Sequence, residues 1–138
     1  MPALDPPINR FWRYVSLNDV TGCWEWTRSL SSGYGQLEDR GKKLYAHIFA
    51  YERFIEKVPV GLELDHLCRN RKCANPAHLQ PVTHKENIRR GYAIRTHCPR
   101  GHVYDEKNTS WYQGSRGCRE CNRVKARANY AKRRSAVA

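Results

Sequence analysis

Residues 64–87 read LDHLCRNRKCANPAHLQPVTHKEN, the stretch from which the rest of the chain is best understood. Cys68, Cys73 and His78 follow the spacing C-x4-C-x4-H. Three ligands are one short of a closed structural zinc site, which normally has four in a tetrahedron. Cys23 is the natural fourth. The six cysteines then divide as three in each of two clusters, each completed by one histidine. His47 and His84 are rivals for that place. A plainer alternative makes Cys23 a small buried apolar residue beside Trp24.

The second cluster lies downstream. Cys98, His102, Cys118 and Cys121 form C-x3-H-x15-C-x2-C. The CxxC pair supplies two ligands from one tight turn, and Gly101, Gly114 and Gly117 suit the turns that a knuckle needs. His97 is a weaker alternative to His102. Apolar residues are few here, so without a metal the segment has little to fold around. No secretory pattern opens the chain, since Met1 to Pro7 is polar and proline-rich. The expected setting is therefore reducing and intracellular, either bacterial cytoplasm or a nucleus. Metal ligation is then favoured over disulfides.

Asp65 and His66 stand just before the first cluster, and Asn87 just after it on a predicted helix. Metal-assisted hydrolysis of a phosphodiester needs a base for water and a divalent cation on the phosphate and leaving oxygen. A histidine serves as base near neutral pH, and the oxygens of Asp and Asn suit Mg²⁺.

With these residues in view, the run 64–87 resembles the HNH endonucleases, and within them the His-Cys box homing endonucleases. The resemblance implies an α+β fold of the small zinc-stabilised ββα-metal (His-Me finger) type, with a C-terminal zinc knuckle and basic helix. It implies that His66 polarises the attacking water and that Asn87 binds a catalytic Mg²⁺ (or Mn²⁺). Asp65 would be a second ligand of that ion, as in other HNH homing nucleases. It also implies two structural Zn²⁺ sites, with Cys23 completing the first. The central Asn that orients the base in a typical HNH motif is replaced here by His78, which leaves a backbone carbonyl to orient His66. An arginine is expected to stabilise charge on the phosphate, with Arg53, Arg69 and Arg89 as candidates.

Charge points the same way. The net charge is +12, but residues 1–66 hold 8 basic and 9 acidic side chains, and residues 67–138 hold 17 and 4. A half so basic suggests a polyanionic partner. No apolar run approaches the roughly 20 residues that span a bilayer, so double-stranded DNA is preferred to a membrane. Arg119, Arg123 and Arg127 share one face of a basic helix and suit phosphate contact. Arg40, Lys42 and Lys43 lie on a predicted hairpin near Tyr34, Gln36 and Tyr45. A two-stranded ribbon of this kind fits the major groove.

Apolar residues make up 40% and mean hydropathy is -0.82, a thin core that calls for a staple such as zinc. The expected order is an arm over 1–9, a helix over 8–17, strands over 23–27 and 34–46 with a turn at Asp39–Gly41, and a helix from Ala46 to about Glu56. A loop-rich hairpin over 62–84, a helix over 84–94, a Cys/His knot over 97–121 and a basic helix follow. Trp12, Trp24, Trp26 and Tyr51 are assigned to the core, whereas Trp111 and Tyr112 stay open between core and base stacking. A composition shift divides a nuclease core, 1–95, from a second zinc module with its basic helix, 96–138. Two rivals stand against the nuclease: a non-catalytic zinc-finger DNA-binding protein, such as a regulator or DNA-packaging accessory, and an RNA-binding module. A second copy of the chain or a phage packaging protein is a further candidate partner.

Overall fold

The computed structural model describes residues 6–137. The chain is mixed α+β and forms two compact units, residues 1–84 and 85–138. Each unit carries one Cys/His group.

The first unit begins with α1, Pro7–Arg13. Proline fits the first helical turn because its fixed φ is already helical and its missing N–H is not needed there. Of the arm expected over 1–9, residues 1–5 lie outside the described residues, and Pro7 to Asn9 are helical. The helix expected over 8–17 stops at Arg13. Val15–Leu17 instead forms β1, antiparallel to β2 (Trp24–Trp26), with Val15 opposite Trp26. A β-branched residue opposite an aromatic ring is a favourable cross-strand pair, and that non-local partner outweighs helical spacing.

Strands β3 (Leu30–Ser31), β4 (Tyr34–Asp39) and β5 (Lys42–Tyr45) make an antiparallel sheet. The β4–β5 turn has positive φ at both Arg40 and Gly41, 48° and 77°. Two-residue hairpin loops matched to strand twist need that conformation, and glycine adopts it at no steric cost. Helix α2, Ala46–Phe54, follows directly. Strands β6 (Leu62–His66) and β7 (Leu79–Thr83) then pair antiparallel, with Asp65 opposite Gln80 and His66 opposite Leu79.

Two apolar groups hold this unit. One centres on Phe11, Trp26, Leu37, Ala46, Ala50 and Ala74; the other joins Tyr51, Leu64 and Leu79. Phe11 is fully buried among the rings of Trp24, Trp26 and Phe49. Burial of a phenylalanine contributes about 1.5–3 kcal/mol. Trp26 and Tyr51 are buried as expected, but Trp12 is 42% exposed and lies over Trp24 and Phe54.

The unit boundary falls at the first residue of α3, His84–Ala93, so that β6, β7 and α3 succeed one another in ββα order. In the second unit β8 (Thr109–Tyr112) and β9 (Ser115–Cys118) form a hairpin inside the expected Cys/His knot. Helix α4 runs from Arg119 to Ala136. Neither α3 nor α4 has a buried residue, whereas Cys98 and Cys118 are buried. Among the described residues no helix is long and apolar enough to cross a membrane.

Candidate active site and metal clusters

Strand β6 brings Leu64, Asp65 and His66 into the interior, where all three are buried. His66 Nε2 lies 3.0 Å from the backbone oxygen of Cys73. A carbonyl only accepts, so Nε2 carries the proton and donates, and Nδ1 keeps the lone pair. The backbone carbonyl expected to orient this ring is thus that of Cys73. Burial holds the His66 pKa below the ordinary histidine value. The cations of Arg71 and Arg69 act in the same direction, against the Cys73 bond and Asp65.

His47, weighed from sequence only as a zinc ligand, lies elsewhere. It sits in the first turn of α2 with its ring centroid 4.9 Å from that of His66, 5.1 Å from Tyr34 and 5.7 Å from Tyr45. It is buried, and its Nδ1 has no hydrogen-bond partner among the described residues. Burial pushes its pKa down to about 3, with help from His66. Its position in the sequence, at the junction of a strand and a helix, carries no spacing that pairs it with His66.

Arg69 Nη1 donates to Asp65 Oδ1 at 2.7 Å. Of the three arginines considered from sequence, it is the one placed beside this carboxylate. Arg89 is bound twice by Glu86, and Arg53 lines a groove on α2 with Lys43 and Lys57. Arg71, which the sequence reading did not single out, has its guanidinium 5.5 Å from the Tyr34 ring centre. Asn87 lies on α3 and is half-buried.

The two Cys/His groups assemble as expected: Cys23, Cys68, Cys73 and His78 in the first, and Cys98, His102, Cys118 and Cys121 in the second. Within each, the donor atoms all lie within 4.8 Å of one another. Pairing of the 72–74 segment with β2 brings Cys23 to Cys73, through Trp26 N–H to Lys72 O and Ala74 N–H to Trp24 O. His78 Nδ1 is 3.6 Å from the sulfur of Cys23 and 3.5 Å from that of Cys73. His102 Nδ1 lies 3.4 Å from Cys98, 3.6 Å from Cys118 and 3.3 Å from Cys121. A tetrahedron with bonds of about 2.0–2.3 Å has edges of roughly 3.3–3.8 Å. Both donor sets can therefore hold zinc. None of the six thiols is in a disulfide. Burial pushes the Cys73 thiol up to about 12, so a cation is needed to hold it as thiolate at neutral pH. His84 Nδ1 instead faces Glu63 at 3.2 Å, and His97 Nδ1 faces the Thr96 hydroxyl at 2.8 Å.

The basic candidates fall on two surfaces. Arg40, Lys42 and Lys43 are exposed at the turn and on β5. Arg119, Arg123 and Arg127 are exposed on α4.

The sequence model of the HNH endonuclease family matches residues 44–89, which run from β5 into α3. The chain is 40% identical over 70 residues to "Protein 2.8" of Escherichia phage T7, covering 49% of this chain and 47% of that protein. It is 39% identical over 66 residues to "Protein 7.7" of the same phage, covering 47% and 51%. An "Uncharacterized gene 5.3 protein" of Enterobacteria phage T3 is 36% identical over 47 residues, covering 34% and 46%. The chain thus spans about half the length of the curated relatives it matches. No solved structure matches it.

Proposed function

From the likeness of residues 44–89 to the HNH endonucleases, we propose that this protein is a metal-dependent endonuclease of duplex DNA with His66 as general base. The observation that carries this reading is the His66–Cys73 bond. It fixes the proton on Nε2 and leaves Nδ1 to accept a proton from water. The lowered pKa keeps the ring neutral and able to do so at neutral pH.

The Asp65 carboxylate is assigned to a Mg²⁺ or Mn²⁺ ion, and Asn87 is added on the sequence resemblance alone. Both offer the hard oxygen donors such ions take. Arg69 engages Oδ1 of Asp65, but a carboxylate has about four lone-pair sites, so the ion pair and a cation are compatible. When bound, the ion would supply Lewis-acid polarisation of the phosphate and stabilisation of the leaving oxygen. Arg69 is assigned to charge developing on the phosphate, because it stands beside Asp65 and its side chain is 36% exposed. Zinc is assigned to both Cys/His groups as a structural ion, since four protein ligands leave no open position for water.

The β4–β5 hairpin, with Arg40, Lys42 and Lys43, is assigned to the major groove, and Arg119, Arg123 and Arg127 to phosphates. The phage relatives favour an infected bacterial cell as the setting. Cutting both strands would require a second copy acting on the opposite strand.

The test is supercoiled plasmid incubated with the zinc-loaded protein in Mg²⁺ or Mn²⁺, beside His66→Ala. Nicking or linearisation by the wild type is expected. The variant should bind the same zinc but cut at least about a hundredfold more slowly. Equal cutting by the two proteins would remove His66 as the base. No cutting by a protein that still binds DNA would leave a zinc-finger binding protein as the reading.

A further inference from the structure

The second unit contains a shallow, open groove between the β8–β9 hairpin and the first turns of α4, lined by Ser110, Arg119, Asn122, Arg123 and Ala126. Residues 119, 122, 123 and 126 recur at helical spacing, so they form one face of α4. Strand residues alternate between faces, which puts Tyr112 on the same side of the hairpin as Ser110. Tyr112 is 75% exposed and has no ring partner among the described residues. Its neighbour Trp111, on the other face, packs edge-on against Tyr92. Gly117 keeps the floor of the groove open. A Cβ there would meet the Ser110 hydroxyl at 2.8 Å and the Asn122 amide at 3.5 Å.

We propose that this groove binds one unpaired nucleotide of a DNA strand, with its base stacked on Tyr112 and its phosphate held by Arg119 and Arg123. The cationic and amide groups line the groove, and Tyr112 stands two strand residues beyond Ser110 on the same face, about 7 Å along the hairpin, within the reach of one nucleotide. Arg119 gives Nε to the Thr109 carbonyl and Arg123 gives one Nη to Glu120, and each planar guanidinium has further N–H groups for a phosphate. Asn122 offers both a donor and an acceptor, the pair that reads a base edge. The exposed phenol ring offers a stacking face. In a duplex the faces of the bases are covered by their neighbours, so an exposed aromatic face on the side of the hairpin that borders the groove suits an unstacked base. The strongly basic character of residues 67–138 selects a polyanion. A site of this kind would direct the protein to gaps, flaps or frayed ends.

The proposal rests on DNA as partner but not on cleavage. Its test is binding by the full-length, zinc-loaded His66→Ala protein, so that no cutting intervenes. A fluorescent flush duplex is compared with the same duplex carrying a three-nucleotide gap with 2-aminopurine in the unpaired stretch. The gapped duplex should bind about tenfold more tightly, with the 2-aminopurine quenched. Adding Tyr112→Ala should bring the ratio of affinities close to one and abolish the quenching, while Tyr112→Phe should keep both. Equal affinity for the two duplexes in the parent, or an unchanged ratio in Tyr112→Ala, overturns the proposal and leaves the nuclease reading intact. Binding to neither duplex removes DNA as the partner, and both readings fall.

Discussion

Cys73 serves His66 and the first metal cluster at once: its carbonyl oxygen is 3.0 Å from His66 Nε2, while its sulfur is one of four donors that can share an ion. The orientation of the proposed base therefore depends on a backbone segment that the cluster pins. Groups that orient a functional side chain through one further bond commonly contribute about 10–100-fold. Cys68→Ala removes a cluster ligand and leaves Cys73 in place. It is expected to lower the cleavage rate by at least about tenfold with little change in affinity for DNA. Single-turnover kinetics beside a binding titration would separate the two. Equal losses in rate and affinity would point to general unfolding of this unit.

Arg69 and Asp65 make an ion pair beside the proposed base. The carboxylate is buried, and the arginine is its 2.7 Å partner. Arg69→Ala leaves that charge without this partner in a poorly solvated position. A loss of stability on the order of 2 kcal/mol is expected, between the values for exposed and buried pairs, and it should show in urea unfolding. Cleavage should fall more than about tenfold, with partial recovery in Arg69→Lys. Unchanged cleavage in Arg69→Ala would release this residue from the phosphate.

The buried His47 makes the first unit sensitive to acid. Its folded pKa is about 3, set first by burial and then by the neighbouring His66, against 6.5 for an ordinary histidine. Between those values the unfolded chain binds the proton more readily. The contribution of neutral His47 is complete above pH 6.5 and is lost as pH falls toward 3, at up to about 1.4 kcal/mol per unit. His47→Gln cannot take up that proton. Thermal melts from pH 7 to pH 5 should therefore show the wild type losing more stability than the variant. Parallel losses in the two proteins would remove His47 as the acid-sensitive group.

Much of this site can be read from the sequence because its chemistry is written in side chains at fixed spacing. C-x4-C-x4-H and C-x3-H-x15-C-x2-C identify both clusters, and dividing six cysteines evenly finds Cys23 across 45 positions of chain. Other features leave no such trace. Every residue has a carbonyl, so nothing marks that of Cys73 as the partner of His66 until the 72–74 segment is seen paired with β2. His47 reaches His66 only because α2 and β6 pack together around Tyr51 and Leu64. Val15–Leu17 has the local look of a helix end and becomes a strand through its pairing with Trp24–Trp26. The β8–β9 hairpin is mostly polar, so it lacks the alternation that announces a half-buried strand.

The buried residues of the second unit include two cysteines, while its helices bury nothing. Such a unit has almost no interior of its own, and an ion bound to its four donors would supply what an apolar core supplies in the first. Zinc availability would then act as a switch on residues 85–138. In a starved cell the aromatic core around Phe11 could persist while residues 85–138 became a loose basic tail open to proteases. Brief chelation followed by limited trypsin treatment would reveal this as early loss of residues 85–138, prevented when zinc is restored before the protease is added.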